Sequence, residues 1–127
     1  MGKDVKVLVL DDEQVVCERL KDFLESKKFS VETFTDSQKA MDRIKEEPFD
    51  VVITDLKMAG YTGMDVLHFI RDERPTTQVI LITAYGQIET FHEASMLGAL
   101  EVVNKPFKME DIHKLVKKAA KRKRRHG

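Results

Sequence analysis

Two rhythms of apolar and polar residues alternate along this chain. Short apolar-rich runs at Val5–Leu10, Val51–Thr54, Val79–Ile82 and Leu100–Val103 have the length and content of strands. Val51–Thr54 and Val79–Ile82 contain no charge, which predicts burial on both faces of a sheet. Ser30–Thr35 is extended but more polar, as an edge strand is. Between the runs the spacing turns helical. Val16, Leu20, Phe23 and Leu24 predict a helix over about 13–27, and Ala40, Met41 and Ile44 mark a second. Leu67 and Ile70 mark a third, Ile88 and Phe91 a fourth, and Met109, Ile112, Leu115, Val116 and Ala119 a fifth.

Local punctuation agrees with this division. Asp36 or Ser37 can cap the second helix, and Pro48 stops it. Thr62-Gly63-Met64-Asp65 has the form of a capping box with Asp at its third helical position. Arg74-Pro75 closes that helix, and Gly98 suits the residue just past the fourth. Five strand–helix units predict a single-domain α/β fold, a parallel five-stranded sheet with helices on both faces. In a doubly wound, flavodoxin-like (βα)5 sheet of order 2-1-3-4-5, strands 1 and 3 flank the crevice where ligands bind. Length and composition do not by themselves fix that order.

Bulk properties narrow the class. A chain of 127 residues with 42% hydrophobic and 35% charged residues suits one globular domain with a real core. No apolar stretch approaches the roughly 18 residues of a membrane span. Met1-Gly2-Lys3-Asp4 lacks the apolar region of a signal peptide, and Lys6 stands where a myristoylation signal wants Ser or Thr. Cys17 is alone, which excludes an internal disulfide or a thiolate metal cluster. These features predict a cytoplasmic protein without a membrane partner. The 22 basic and 22 acidic groups balance, yet residues 118–127 carry six Lys or Arg and no acid. The body is therefore mildly acidic. Residues 121–127 read as a solvated basic tail or the start of a linker. Nucleic acid is the least favoured partner, because charge alone binds it weakly and no aromatic interrupts the basic run.

The candidate chemistry lies where strands end. Asp11 and Asp12 follow the first run, Asp55 the third, Thr83 the fourth and Lys105 the fifth. Taken singly, the acids are cap or loop residues, Thr83 a turn residue, and Lys105-Pro106 a helix entry. Together at four strand ends they make a cation site with its own counter-charge. Clustered carboxylates either take up protons or bind a cation, and an oxygen-only set suits Mg²⁺. A carboxylate beside Mg²⁺ can attack phosphorus, with a lysine neutralising the phosphoryl oxygens and a hydroxyl donating to them.

The ordered set Asp11-Asp12, Asp55-Leu56-Lys57-Met58, Thr83-Ala84 and Lys105-Pro106-Phe107 resembles the receiver domain of two-component response regulators, over residues 4–120. The resemblance implies the order 2-1-3-4-5. It implies a phosphoryl group accepted on Asp55 from a sensor histidine kinase or phosphotransfer protein. It implies Mg²⁺ on Asp12, Asp55 and the Lys57 carbonyl, with Asp11 acting directly or through water. Thr83 and the backbone of Lys57 and Ala84 would contact the phosphoryl group, Lys105 would pair with it, and the Lys105–Pro106 bond would be cis. Members of this family also supply a C-terminal output domain in many cases, and dimers through the fourth helix, fifth strand and fifth helix.

Some positions depart from the family pattern. Ala59 stands where Pro is usual, which predicts a looser turn after Asp55. Val102 replaces the aromatic residue that many members carry three positions before the lysine. Lys57 and Tyr85 flank the expected water path to phosphorus, where they would shield it. Two other readings compete with the receiver. An aspartate-nucleophile phosphatase of the haloacid dehalogenase type wants Asp-x-Asp after strand 1, and this chain has Asp-Asp-Glu. A degenerate interaction domain would not keep the full acid, Thr and Lys set.

Overall fold

The computed structural model describes residues 4–84 and 88–126. Strands and helices alternate as β1 (Lys6–Leu10), α1 (Gln14–Ser26), β2 (Ser30–Phe34), α2 (Ser37–Glu46), β3 (Val51–Asp55), α3 (Gly63–Glu73), β4 (Gln78–Thr83), α4 (Ile88–Met96), β5 (Glu101–Asn104) and α5 (Met109–His126). The five strands are parallel and ordered β2-β1-β3-β4-β5. β1 lies between β2 and β3, with Leu10 opposite Phe34 on one side and Thr54 on the other. The polar β2 is an edge strand, as its composition predicts.

Side chains alternate across each strand and build two cores. Val7, Val9, Ile53 and Ile80 face α1 and α5, against Leu20, Leu24, Ile112 and Val116. Leu8, Leu10, Val52 and Leu81 face the other layer, against Ala40, Ile44, Val66 and Ile70. Burying such side chains contributes about 1.5–3 kcal/mol each and fixes the register of the sheet. Register then decides which residues reach the carboxyl rim. The structured caps also match the sequence: the Asp36 side chain accepts from the Lys39 amide, and Thr62 with Asp65 forms a complete capping box.

Other features lie outside the apolar pattern that sets the two cores. α5 continues past its last apolar anchor, Ala119, to His126. Ala, Lys and Arg are strong helix formers, so their propensity favours continuing the helix through the basic run. Met96, at the end of α4, is 71% exposed. Cys17 is buried, as a small core residue, and burial pushes its thiol pKa up to about 11. His113 packs edge-on against the Phe23 and Phe29 rings, while His68 and His92 are exposed helix residues. Among the described residues no helix is long and apolar enough to cross a membrane.

Candidate functional site

The carboxyl rim gathers charge into a small volume. Asp11 follows β1 and is fully buried; Asp55 ends β3 and is 7% exposed; Asp12, next to Asp11, faces solvent. Carboxylate oxygens of all three lie within 4.8 Å of one another. Lys105, just past β5, sends Nζ to 2.9 Å from Asp11 Oδ2, 3.1 Å from Glu13 Oε1 and 3.2 Å from Asp55 Oδ2. Its backbone amide donates to the Thr83 carbonyl at 2.8 Å, which ties the lysine to the end of β4. Thr83 is buried at that end, in register with Asn104, and Ala84 beyond it is exposed. The Lys105–Pro106 peptide bond is cis.

The loop after Asp55 is held from two directions. The Lys57 amide approaches Asp55 Oδ1 at 3.4 Å, a long contact. The Leu56 amide donates to Ile82 and the Gly63 amide to Leu56, so α3 begins hard against the end of β3. A Cβ on Gly63 would meet the Asp55 carbonyl oxygen at 2.5 Å and the Leu56 Cα at 2.8 Å. Only glycine allows that approach of backbone to backbone. Ser37, at the start of α2, donates to the Ala59 carbonyl at 3.1 Å and accepts from the Tyr61 amide at 2.9 Å. Gly60, between them, takes a positive φ of 79°. The turn expected to loosen around Ala59 is therefore pinned, by a hydroxyl more than twenty residues away in sequence.

Charge in the rim is not balanced locally. Burial raises the Asp11 pKa above its ordinary value; the Lys105 ammonium and the Glu13 amide oppose this without overcoming it. Burial works to lower the Lys105 pKa, but Asp11 and Glu13 outweigh it and hold the ammonium firmly charged. Asp11 Oδ1 accepts from the Glu13 amide at 2.9 Å. Asp11 Oδ2 is buried, and although Nζ is close it lacks a well-directed hydrogen bond. Three clustered carboxylates, one of them fully buried, make the oxygen-only donor set of a hard divalent cation. The residues present therefore fit Mg²⁺.

Comparison with known proteins follows the same line. The sequence model of the response regulator receiver domain matches residues 7–117. The chain belongs to the response regulator receiver family. This receiver is 32% identical over 111 residues to the response regulator protein PilR of Pseudomonas aeruginosa, covering 87% of the chain and 25% of that protein. It is 29% identical over 113 residues to the sporulation initiation phosphotransferase F of Bacillus subtilis, covering 89% of the chain and 91% of that protein. A receiver domain structure from Clostridium thermocellum superposes with a TM-score of 0.91 at 33% identity, over 97% of this chain and 99% of that one. The chain thus spans a quarter of PilR but nearly all of the sporulation protein. It is a receiver module of two-component signalling, and the doubly wound fold is that of its structural neighbours.

The receiver fold brings Asp11, Asp12, Asp55 and Lys105 together, with Thr83 at the neighbouring strand end. Tyr85, expected to shield the phosphoryl group, lies outside the described residues. Val102 sits half-buried against the core that includes Ala94 of α4. Sequence reasoning missed two contributors. Glu13 was legible as a third consecutive acid, but its partner Lys105 is 92 residues away. Ser37 was read as a cap alternative, and nothing in the sequence tied it to the Asp55 loop.

Proposed function

We propose that Asp55 is the phosphoacceptor and that Asp11, Asp12 and Asp55, with the Lys57 carbonyl, hold one Mg²⁺. The observation that carries this reading is the cluster of three carboxylates at the rim, with Asp11 fully buried and the Lys105 ammonium 2.9 Å from its Oδ2. Bound there, the metal would neutralise charge on the transferring phosphoryl oxygens. Asp55 Oδ attacks phosphorus in a phosphohistidine on a sensor kinase or phosphotransfer protein. The O–P bond forms, the P–N bond breaks, and its electron pair returns to the imidazole. Lys105, already 3.2 Å from Asp55, pairs with the new phosphoryl oxygens. Thr83 and the Lys57 and Ala84 amides donate to them. The added group brings about −1.5 to −2 charge, enough to bias the loop before α4 and the α4–β5–α5 face.

A protein donor needs a place to dock. Val16, Arg19, Pro106, Phe107 and Met109 line a groove against Lys105, and Val15 beside it is 62% exposed. An apolar patch rimmed by charge, next to the reacting carboxylate, suits a helical partner. The domain limits 4–120, a cytoplasmic location and, if the natural chain runs on past Gly127, a C-terminal output domain belong to the same proposal. The chain modifies itself once and does not turn over phosphomonoesters. Intact-mass spectrometry after acetyl phosphate and Mg²⁺ tests it: the wild type should gain one phosphoryl group and Asp55→Asn none. An equal adduct on Asp55→Asn, or steady phosphomonoester turnover, would refute the assignment.

A further inference from the structure

Glu13 behaves oddly for a residue at the start of a helix. Its backbone is extended and its carbonyl accepts from the Val16 and Cys17 amides, as a helix-capping residue does. Its carboxylate makes no cap hydrogen bond. It reaches instead to Lys105 Nζ at 3.1 Å. The Glu13 amide donates to Asp11 Oδ1 at 2.9 Å, so Asp11 fixes the backbone from which the Glu13 carboxylate reaches the ammonium.

Three carboxylates surround this ammonium: it donates to Glu13 and Asp55, and Asp11 Oδ2 lies 2.9 Å away. Two of the three belong to the cluster that fits a divalent cation; Glu13 does not. A cation on Asp11 and Asp55 competes for the oxygens that hold Lys105. A lysine on a flexible four-carbon stem, left without a partner, moves into water. Glu13 is the one partner outside that competition.

We propose that Glu13 is a positioning residue for Lys105. It keeps the ammonium at the mouth of the acid pocket once the metal engages Asp11 and Asp55, in place for the phosphoryl oxygens. The inference rests on Asp55 being the phosphoacceptor. The plainer role for an acid here is to add to the negative field that attracts Mg²⁺. The two roles differ in which ligand suffers when Glu13 is changed.

The test uses the full chain as wild type, Glu13→Ala and Glu13→Gln. Mg²⁺ is titrated alone, and beryllofluoride is then titrated at saturating Mg²⁺, both followed by NMR of the Lys105 side chain and the Asp55 loop. A positioning role predicts beryllofluoride affinity about two- to fivefold weaker in Glu13→Ala, the range of a partly exposed ion pair, with a smaller change for Mg²⁺. Glu13→Gln, whose amide oxygen still accepts from the ammonium, should recover part of the loss. The Lys105 side-chain signals should shift toward solvent values in the Ala variant alone. Weakened Mg²⁺ binding with unchanged beryllofluoride affinity would overturn the proposal in favour of the field effect. No change in either would overturn it outright. A wild type that binds no beryllofluoride would instead overturn the Asp55 reading on which the proposal rests.

Discussion

Two clusters of charge on this molecule follow opposite rules. On the β2 edge, Arg43 makes a two-pronged pair with Glu32 at 2.8 and 2.9 Å and also meets Glu46, while Lys6 meets Glu47 at 2.6 Å. Every member is partly in water, and Arg43 holds the Glu32 carboxyl below its ordinary range. On the carboxyl rim three carboxylates crowd one ammonium, two of them buried, and burial pushes the Asp11 carboxyl up. The edge is nearly balanced and contributes modestly to stability, as surface pairs do. The rim keeps surplus negative charge in a desolvated place, which opposes folding. A fold tolerates that where, as proposed for this rim, a cation and a phosphoryl group are received.

Breaking the backbone that shapes the rim should have the largest effect. Gly63→Ala should cost about 1–3 kcal/mol, because the new Cβ meets β3 backbone that cannot swing aside. Chemical denaturation checks this, and a neutral result would mean that α3 can shift away from Asp55 freely. Ser37→Ala should cost on the order of 1–2 kcal/mol and loosen the Ala59–Tyr61 turn, visible as faster amide exchange there. Slow exchange at Tyr61 in that variant would show that the turn is held some other way.

The edge should respond less and with the opposite pH dependence. Arg43→Ala should cost little at neutral pH, because the pair it breaks is screened by solvent. The Glu32 pKa is lowered from 4.5, so its contribution is present above that value and lost as pH falls through the lower folded value. The Asp11 pKa is raised from 3.8, so its contribution favours the fold at low pH and is lost as pH rises through the raised value. Stability curves of Arg43→Ala and wild type should therefore converge in acid. Curves that stay parallel down to pH 2 would remove Glu32 from the account. Smallest of all, ending the chain at Ala120 should change stability by no more than about 0.5 kcal/mol, because α5 has no apolar anchor beyond Ala119. A larger loss would mean that the basic helix end docks on the acidic body.

Most of the fold was legible because strand and helix periods differ and the core enforces them. Val7, Val9, Leu8 and Leu10 alternate between two cores, and that alternation can be read from the order of residues alone. The acids, Thr83 and Lys105 were legible because each ends a strand, and a parallel sheet brings strand ends to one rim. Strand order needed the family resemblance. Contacts made by loop side chains were not legible: Ser37 to Ala59 and Glu13 to Lys105 join residues that no periodicity relates. The helical run beyond Ala119 was missed because an apolar stripe marks packing, whereas propensity alone can prolong a helix.

Surplus charge at the rim should oppose folding until a divalent cation relieves it. Thermal melts of the wild type and Asp55→Asn, each with and without Mg²⁺, test it directly. Without metal, Asp55→Asn should melt above the wild type, since one buried negative charge is gone. At ten times its dissociation constant, Mg²⁺ should stabilise the wild type by about 1.4 kcal/mol, a rise of about 5 °C, and the variant far less. An Asp55→Asn protein that melts below the wild type without metal, or a wild type that Mg²⁺ does not move, would contradict the account.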